Sequence, residues 1–140
     1  MFYSVEIAVP ANTTEASPVE TRITVSHGVV TRAAFRPRPG HSGLCHARVF
    51  YHDHQLWPVS REEDLHGDTF PIEWPEYEEL FIPPYELVVR SWNDDDTYSH
   101  TFDLDFALLP ERVAAPVNWG QVMRDIVSLL TPRRIFGGGG

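Results

Sequence analysis

Hydrophobic and polar side chains alternate along most of the first 109 residues, and this alternation is the pattern of β-strands. The clearest run covers residues 97–106. Its apolar face contains Tyr98, His100, Phe102, Leu104 and Phe106, and its polar face contains Thr101, Asp103 and Asp105. Because successive side chains of a strand point to opposite faces, this run predicts an antiparallel strand with one face on a core and one in water.

The same alternation predicts further strands, and turn residues separate them. These strands cover residues 3–9, 19–25, 29–35, 44–52, 55–57 and 85–92, with weaker, proline-broken candidates at 69–74 and 79–82. His27-Gly28 is compact enough to join two strands in a hairpin. The acidic run from Asn93 to Asp96 contains residues that favour turns, and it predicts a second hairpin.

A helical pattern occurs near the C-terminal end of the sequence. Asn118 is a suitable N-cap with Gln121 three residues later, and Trp119, Val122, Met123, Ile126 and Leu130 follow on one stripe. The chain is therefore predicted to be all-β: an antiparallel β-sandwich of jelly-roll type with about eight strands and one C-terminal amphipathic helix. Residues 1–110 would form the sandwich domain, and residues 111–140 the helix with a basic, glycine-ended tail.

Composition fits one globular domain, and charge is unevenly distributed along it. The chain has 140 residues, of which 42% are hydrophobic, and no apolar run approaches the length of a transmembrane helix. All 11 basic residues are arginine, and the net charge is −9. Five arginines and no carboxylate lie between Arg22 and Arg48, whereas twelve carboxylates lie between Glu62 and Asp96. This asymmetry indicates association with other proteins or a solvated surface, and an acidic domain disfavours nucleic-acid binding.

Histidines raise the question of a metal site, since His52 and His54 would share one face of a strand. Zinc or iron would need a third ligand, and the cupin family, whose first motif contains this spacing, supplies it from a second motif. Here the expected glutamate comes late, at Glu62, and the second motif is missing. His100, the remaining candidate, is expected on the core face, bonded to a backbone carbonyl or a tyrosine. We predict no metal and no cofactor.

Other candidate sites also have plain structural interpretations. Asp94-Asp95-Asp96 resembles part of a calcium loop but lacks the EF-hand pattern of ligands. Cys45 is a lone cysteine and is interpreted as a small buried thiol. No serine or cysteine has a nucleophile motif around it, so the protein is predicted not to be an enzyme. Three tryptophans could form a sugar-stacking platform or could fill the ends of the core: Trp57, Trp74 and Trp92.

The order of segments over residues 5–109 resembles small β-sandwich proteins encoded among the structural genes of tailed phages and related viruses. The landmarks are the turn at Gly28, the loop at Pro39-Gly40, QLWP at 55–58, HGD at 66–68, FIPPYEL at 81–87 and WNDDDTYSH at 92–100. The resemblance implies a capsid decoration, vertex or other accessory virion protein. It implies assembly with neighbouring capsid or virion subunits, without catalysis.

The predicted function is therefore that of a non-catalytic structural protein of a virion, made in the host cytoplasm. A carbohydrate-binding sandwich for host attachment and a cupin-like metalloenzyme are the alternatives. The predicted partners are other virion subunits, with a homo-oligomer expected and with no membrane or nucleic acid. The predicted assembly contacts lie in the C-terminal helix and tail, because tryptophan and methionine are enriched at interfaces: Trp119, Met123, Ile126, Leu130, Arg133, Arg134 and Phe136. The alternative is that the helix covers an open side of its own sandwich.

Overall fold

The strands form two four-stranded antiparallel sheets in the computed structural model, which describes residues 1–111 and 119–130. The elements are β1 (Phe2–Val9), β2 (Val19–Thr24), β3 (Gly28–Pro37), β4 (Cys45–Tyr51), β5 (His54–Trp57), β6 (Ile72–Leu80), β7 (Glu86–Asn93), β8 (His100–Leu109) and helix α1 (Trp119–Leu130). Sheet 1 has the order β1-β8-β3-β6, and sheet 2 has the order β2-β7-β4-β5. The prediction of an antiparallel β-sandwich with about eight strands and a C-terminal helix is confirmed.

The strands pair from the two ends of the sequence inwards. β1 pairs with β8, β2 with β7, β3 with β6, and β4 with β5, all antiparallel. Sheet 1 is completed by pairing of β3 with β8, and sheet 2 by pairing of β4 with β7. Among these strands, the chain changes sheet at every connection except that between β4 and β5.

Both hairpins that the sequence predicts around residues 27–28 and 93–96 are wrong. β2 and β3 lie in different sheets, and so do β7 and β8. The turn residues do reverse the chain at these points, but the reversal crosses from one sheet to the other. Gly28 is required at the first crossing, because a Cβ there would lie 2.5 Å from the carbonyl oxygen of Leu109. That contact is closer than any side chain allows.

The hairpin observed in the structure joins β4 to β5 through His52 and Asp53. Both residues have positive φ, 51° and 60°, which is the backbone of a two-residue type I′ turn. The strand predicted to reach His52 therefore ends at Tyr51. His52 and His54 are separated by this turn and do not share a strand face.

β6 is a single strand, although the sequence predicts two short ones broken by proline. Pro75 lies within it, opposite Arg32, and the register of β3 shifts beside this pair. β6 is the edge of sheet 1, where a residue without an N–H is tolerated. The strand is acidic, with exposed glutamates at 73 and 79 and half-exposed ones at 76 and 78. Proline and charge at an edge are features that prevent pairing with another chain.

The core lies between the two sheets and follows the predicted alternation. Phe102, Leu104 and Phe106 are no more than 1% exposed. They pack with the other inward-facing side chains, of which the largest are Trp57, Phe35, Leu80 and Leu87. Cys45 is fully buried, and burial raises the pKa of its thiol to about 12. The interpretation of Cys45 as a small buried thiol is confirmed.

Candidate functional site

A cluster of two histidines and an aspartate lies on the outer face of sheet 2. His46 is on β4, and Asp64 and His66 flank Leu65 in the segment between β5 and β6. Leu65 and Ala47 exchange two backbone hydrogen bonds, of 2.8 and 2.9 Å, and both side chains are buried. Because side chains alternate along extended backbone, the residues next to Ala47 and Leu65 turn outwards on the same side. This short bridge brings together residues that are 18 positions apart in sequence.

Asp64 lies at the centre of this cluster, which we call the His–Asp–His cluster (His46, Asp64 and His66). Its Oδ1 is 2.6 Å from Nδ1 of His46 and 2.7 Å from Nδ1 of His66. The other ring nitrogen of His46, Nε2, is 3.0 Å from Oδ2 of Asp94. His46 and Asp64 are mostly buried, whereas the side chain of His66 is 51% exposed. The cluster is therefore a half-open site with one side in solvent.

Trp92 and Arg48 hold the His–Asp–His cluster in place. The ring of His46 stacks on Trp92 with a centroid distance of 5.2 Å and an interplanar angle of 11°. The guanidinium of Arg48 lies 4.9 Å from the centroid of the same indole. Arg48 also donates to the carbonyl oxygens of Glu62 and Glu63, at 3.2 and 2.9 Å. The segment that carries Asp64 is thereby tied to β4.

Asp68 connects the loop between β3 and β4 to this segment through hydrogen bonds. Its carboxylate accepts hydrogen bonds from the backbone amides of Gly40 and Ser42, at 3.0 and 3.1 Å. The first cause of the lowered pKa of Asp68 is its bond with the hydroxyl of Thr69, and the two amides add to it. These contacts fix the backbone two residues beyond His66.

This cluster is not predicted from the sequence, in which residues 61–68 are acidic and loop-like. The available signal was the pattern Asp64-Leu65-His66, in which an apolar residue separates two polar ones. That alternation indicates a short extended segment, but it does not identify β4 as the strand with which it pairs.

The histidines of the alternative, cupin-like metal site do not come together. His52 lies in the β4–β5 turn, where its Nε2 is 2.8 Å from the carbonyl oxygen of Ile82. His54 is exposed at the start of β5. His100 lies in sheet 1, at the beginning of β8. His100 is thus in the other sheet from the hairpin that carries His52 and His54.

His100 is largely buried, as predicted, but its partner is a carboxylate and not a carbonyl or a tyrosine. Its Nε2 is 2.8 Å from Oδ2 of Asp95. Its ring lies 4.8 Å from that of His41, which is 1% exposed and contacts the carbonyl oxygen of Thr101 at 2.8 Å. Nδ1 of His41 has no hydrogen-bond partner among the described residues. Burial lowers the pKa of His41, so this ring is kept neutral.

The three aspartates at residues 94–96 do not converge on a calcium site. Asp95 accepts from the backbone amides of Thr97 and Tyr98, at 2.8 and 3.2 Å, whereas Asp94 contacts His46 and Asp96 contacts the Thr97 hydroxyl. The amide of Thr97 is the first cause of the lowered pKa of Asp95, followed by Tyr98 and His100. The strand predicted from residue 97 begins at His100 for this reason, and Tyr98 is exposed and not in the core.

The side chains of Trp57, Trp74 and Trp92 pack against other residues of the protein and do not form a sugar-stacking platform. Trp57 is 2% and Trp92 4% exposed. Trp74 packs against the edge of the core, and its ring meets that of Trp57 edge-on at 5.8 Å. Both of these indole N–H groups donate to Glu76, at 3.2 and 2.9 Å. A sugar ring has no access to the faces of Trp57 and Trp92, so the observation that suggested carbohydrate binding is lost.

Each of the five arginines between Arg22 and Arg48 has a carboxylate partner within the chain. The pairs are Arg22 with Glu20 and Glu86, Arg32 with Glu73, Arg36 with Asp105, Arg38 with Glu6, and Arg48 with Glu15. The positive charges of residues 22–48 are therefore paired with carboxylates of the same chain. It does not form an unpaired basic patch.

The predicted assembly contacts are partly visible on α1. Met123, Ile126 and Leu130 lie on one side of the helix and are 56%, 43% and 76% exposed. Trp119 is the first residue of α1, while Arg133, Arg134 and Phe136 lie outside the described residues. None of the helices in the described ranges has the length and apolarity needed to cross a membrane.

Comparisons with known proteins give little beyond this geometry. No family model matches the chain, and no curated protein matches its sequence. Among solved structures, the Yersinia pseudotuberculosis-derived mitogen is 5% identical with a TM-score of 0.45, and the match covers 78% of this chain and 86% of that chain. A chain of the tomato aspermy virus structure is 11% identical with a TM-score of 0.39, covering 83% of this chain and 82% of that chain. Similarities this low show nothing about the function of this protein.

Proposed function

We propose that this protein is a non-catalytic structural component of a viral particle that acts through protein–protein assembly. The observation that carries the proposal is the apolar side of α1, where Met123, Ile126 and Leu130 are exposed. The sandwich already fills its own interior without them. Contiguous apolar surface on a soluble protein marks an interaction site, because leaving it in water is unfavourable.

The strand pairing and the filled core support a capsid role over the two alternative functions. The pairing of β1 with β8, β2 with β7, β3 with β6 and β4 with β5 supports a jelly-roll arrangement of the sandwich in this proposal. Jelly rolls occur in viral capsid proteins, lectin domains and cupins. Side chains such as Phe35, Phe102 and Phe106 occupy the space in which an internal ligand or metal would lie. Since Trp57 and Trp92 are buried as well, the capsid role has the strongest support of the three.

In this proposal, residues 111–140 form an attachment arm, and the partners are neighbouring virion subunits or further copies of this chain. The helix supplies apolar contacts, and Arg133, Arg134 and Phe136 extend the same contact. The role is that of a decoration, vertex or accessory protein, located in the virion after synthesis in the host cytoplasm. The segment order over residues 5–109, which resembles such proteins, supports this role.

The experiment replaces the apolar side of α1 with charge. We expect the wild-type chain to form oligomers and the double variant Met123→Glu/Ile126→Glu to be monomeric with an unchanged melting temperature. The reason is that both side chains are exposed in the isolated chain and contribute little to its core. Val59→Glu is the matched control, since Val59 is 80% exposed and lies on the segment after β5. Gel filtration with light scattering measures the mass, and circular dichroism measures the melting temperature.

Two results would contradict the proposal. One is a wild-type chain that stays monomeric and is absent when intact particles from the source are analysed by mass spectrometry. The other is a double variant that associates as strongly as Val59→Glu. A fall in melting temperature confined to the double variant would show that α1 instead covers its own sandwich.

A further inference from the structure

We propose that the His–Asp–His cluster binds one divalent transition-metal ion of the zinc class. Nδ1 of His46, Oδ1 of Asp64 and Nδ1 of His66 are the ligand atoms. The cluster offers one ligand atom from each residue, all within 4.8 Å of one another. Two imidazole nitrogens and one carboxylate oxygen form a donor set that zinc and its neighbours in the first transition row prefer.

The hydrogen-bond arrangement of His46 supports this assignment. Its Nε2 faces Oδ2 of Asp94 at 3.0 Å, and its Nδ1 faces Oδ1 of Asp64 at 2.6 Å. A neutral imidazole has one N–H, which can satisfy only one of these two carboxylates. When that N–H is on Nε2, the lone pair of Nδ1 points at Asp64, and a cation between them removes the repulsion. Metal-bound histidines characteristically donate their other N–H to a carboxylate, and Asp94 is placed to accept from Nε2 of His46 in this way.

The distances require only a small adjustment. In a tetrahedral site with metal–ligand bonds of about 2.0–2.2 Å, neighbouring ligand atoms lie about 3.4 Å apart. The two contacts of Asp64, at 2.6 and 2.7 Å, are shorter than this by less than an ångström. Asp64 lies between strands and not within one, so a slight rotation of its side chain opens the space.

The rest of the site is already ordered. Leu65 fixes the backbone between Asp64 and His66 through its paired bonds with Ala47, and Trp92 supports the ring of His46. Ligands that are held in position before binding lose little conformational entropy on binding. Such order separates this cluster from a chance grouping of exposed side chains.

The neighbouring groups indicate which metal fits. Calcium and magnesium take oxygen ligands, and two histidines are unsuited to them. Cys45 precedes His46 in sequence, but it points into the core and cannot supply a thiolate. The exposed side of His66 leaves room for a water molecule as the fourth ligand. A metal here would join β4 to the segment carrying Asp64 and would stabilise their contact.

The test uses the full chain with any affinity tag removed and with metals stripped by a chelator. Calorimetric titration with zinc chloride is expected to give one ion per chain, and zinc is expected to raise the melting temperature, since an ion that binds only the folded state stabilises it. His66→Ala should abolish stoichiometric binding. Asp94→Asn should weaken it by about 10- to 100-fold, because it replaces the charged outer partner of His46 with a neutral amide that accepts a weaker hydrogen bond.

His54→Ala is the matched control, because His54 is an exposed histidine on the neighbouring hairpin and is not part of the cluster. It should bind zinc as the wild type does. Absence of stoichiometric zinc on the wild-type chain would overturn the proposal. Equal loss in His54→Ala and His66→Ala would also overturn it. If His66→Ala does not fold, Asp94→Asn and the thermal shift of the wild type decide the question.

Discussion

Asp105 is a charged residue that the fold buries almost completely. It lies on the outer face of sheet 1 but is only 7% exposed. Its carboxylate accepts from the hydroxyl of Ser4 at 2.6 Å and from Nε of Arg36. The bond with Asp105 is also the first cause of the raised pKa of Arg36. The polar face predicted for this strand is thus a network of paired groups, and a buried charge is tolerated because it is paired.

The neighbouring positions 103 and 104 give a direct test of the strand register. Leu104→Asp should cost at least about 4 kcal/mol and unfold much of the protein, because it places an unpaired charge in the core. Asp103→Asn should cost less than about 1 kcal/mol, since its ion pair with Arg38, at 3.7 Å, is near the surface. Urea denaturation of both variants measures the difference. Similar midpoints for the two variants would be incompatible with the observed packing of β8.

The local conformation of single residues was largely predictable, whereas their long-range neighbours were not. Burial of Phe102 and of Cys45 followed from alternation alone. The proximity of His46 to His66 did not, because it depends on the bridge between Ala47 and Leu65. A two-residue bridge has no sequence pattern strong enough to identify its partner strand.

At the scale of elements, the connections between sheets decide the fold. The strand positions were predicted well, but two turns that resemble hairpin turns cross between sheets instead. A turn sequence specifies only that the chain reverses direction. The strand with which the next segment pairs depends on which strand edges are already paired. Residues 94–99 form one such crossing, and Asp95 organises it through the amides of Thr97 and Tyr98.

This crossing should make the protein sensitive to acid. The pKa of Asp95 is lowered in the folded state relative to an unfolded value of about 3.9. Its contribution to stability is therefore present above that value and is lost as the pH falls through the folded pKa. We expect Asp95→Ala to lower the melting temperature at pH 7 and to reduce the further loss below about pH 4.

Asp96→Ala is the control for this effect, because Asp96 is exposed and its carboxylate contacts only the hydroxyl of Thr97 among the bonds described. Melting temperatures recorded by circular dichroism from neutral to acid pH measure both variants. Parallel curves for the wild type and Asp95→Ala would show that another group causes the acid sensitivity.

At the scale of the whole molecule, the nested pairing neutralises charges that are segregated in the sequence. β3 carries Arg32 and Arg36 and lies between β8 and β6, which supply Asp105 and Glu73. Basic strands from the first half of the chain are thereby placed beside acidic strands from the second half. The segregation of charge along the sequence therefore does not predict the net charge of any one face of the sheets.

Association of the protein should therefore depend little on salt. Between 0.1 and 1 M salt the Debye length falls from about 10 Å to about 3 Å, which weakens contacts between exposed charges. Contacts through Met123, Ile126 and Leu130 are apolar and should persist over this range. Sedimentation velocity at several salt concentrations measures the association. Dissociation at high salt would assign the interface to the charged faces of the sheets and not to α1.

The β6 edge has a consequence for how copies can meet. Two such edges brought together would oppose Pro75, which lacks an N–H, and rows of glutamates. The pKa of Glu78 is already raised by burial and by the nearby charges of Glu76 and Glu79. These features oppose the continuation of a shared sheet from one copy to another along this side. In the assembly proposed above, a copy that lends no strand there can join or leave its neighbours without breaking a backbone ladder at that edge.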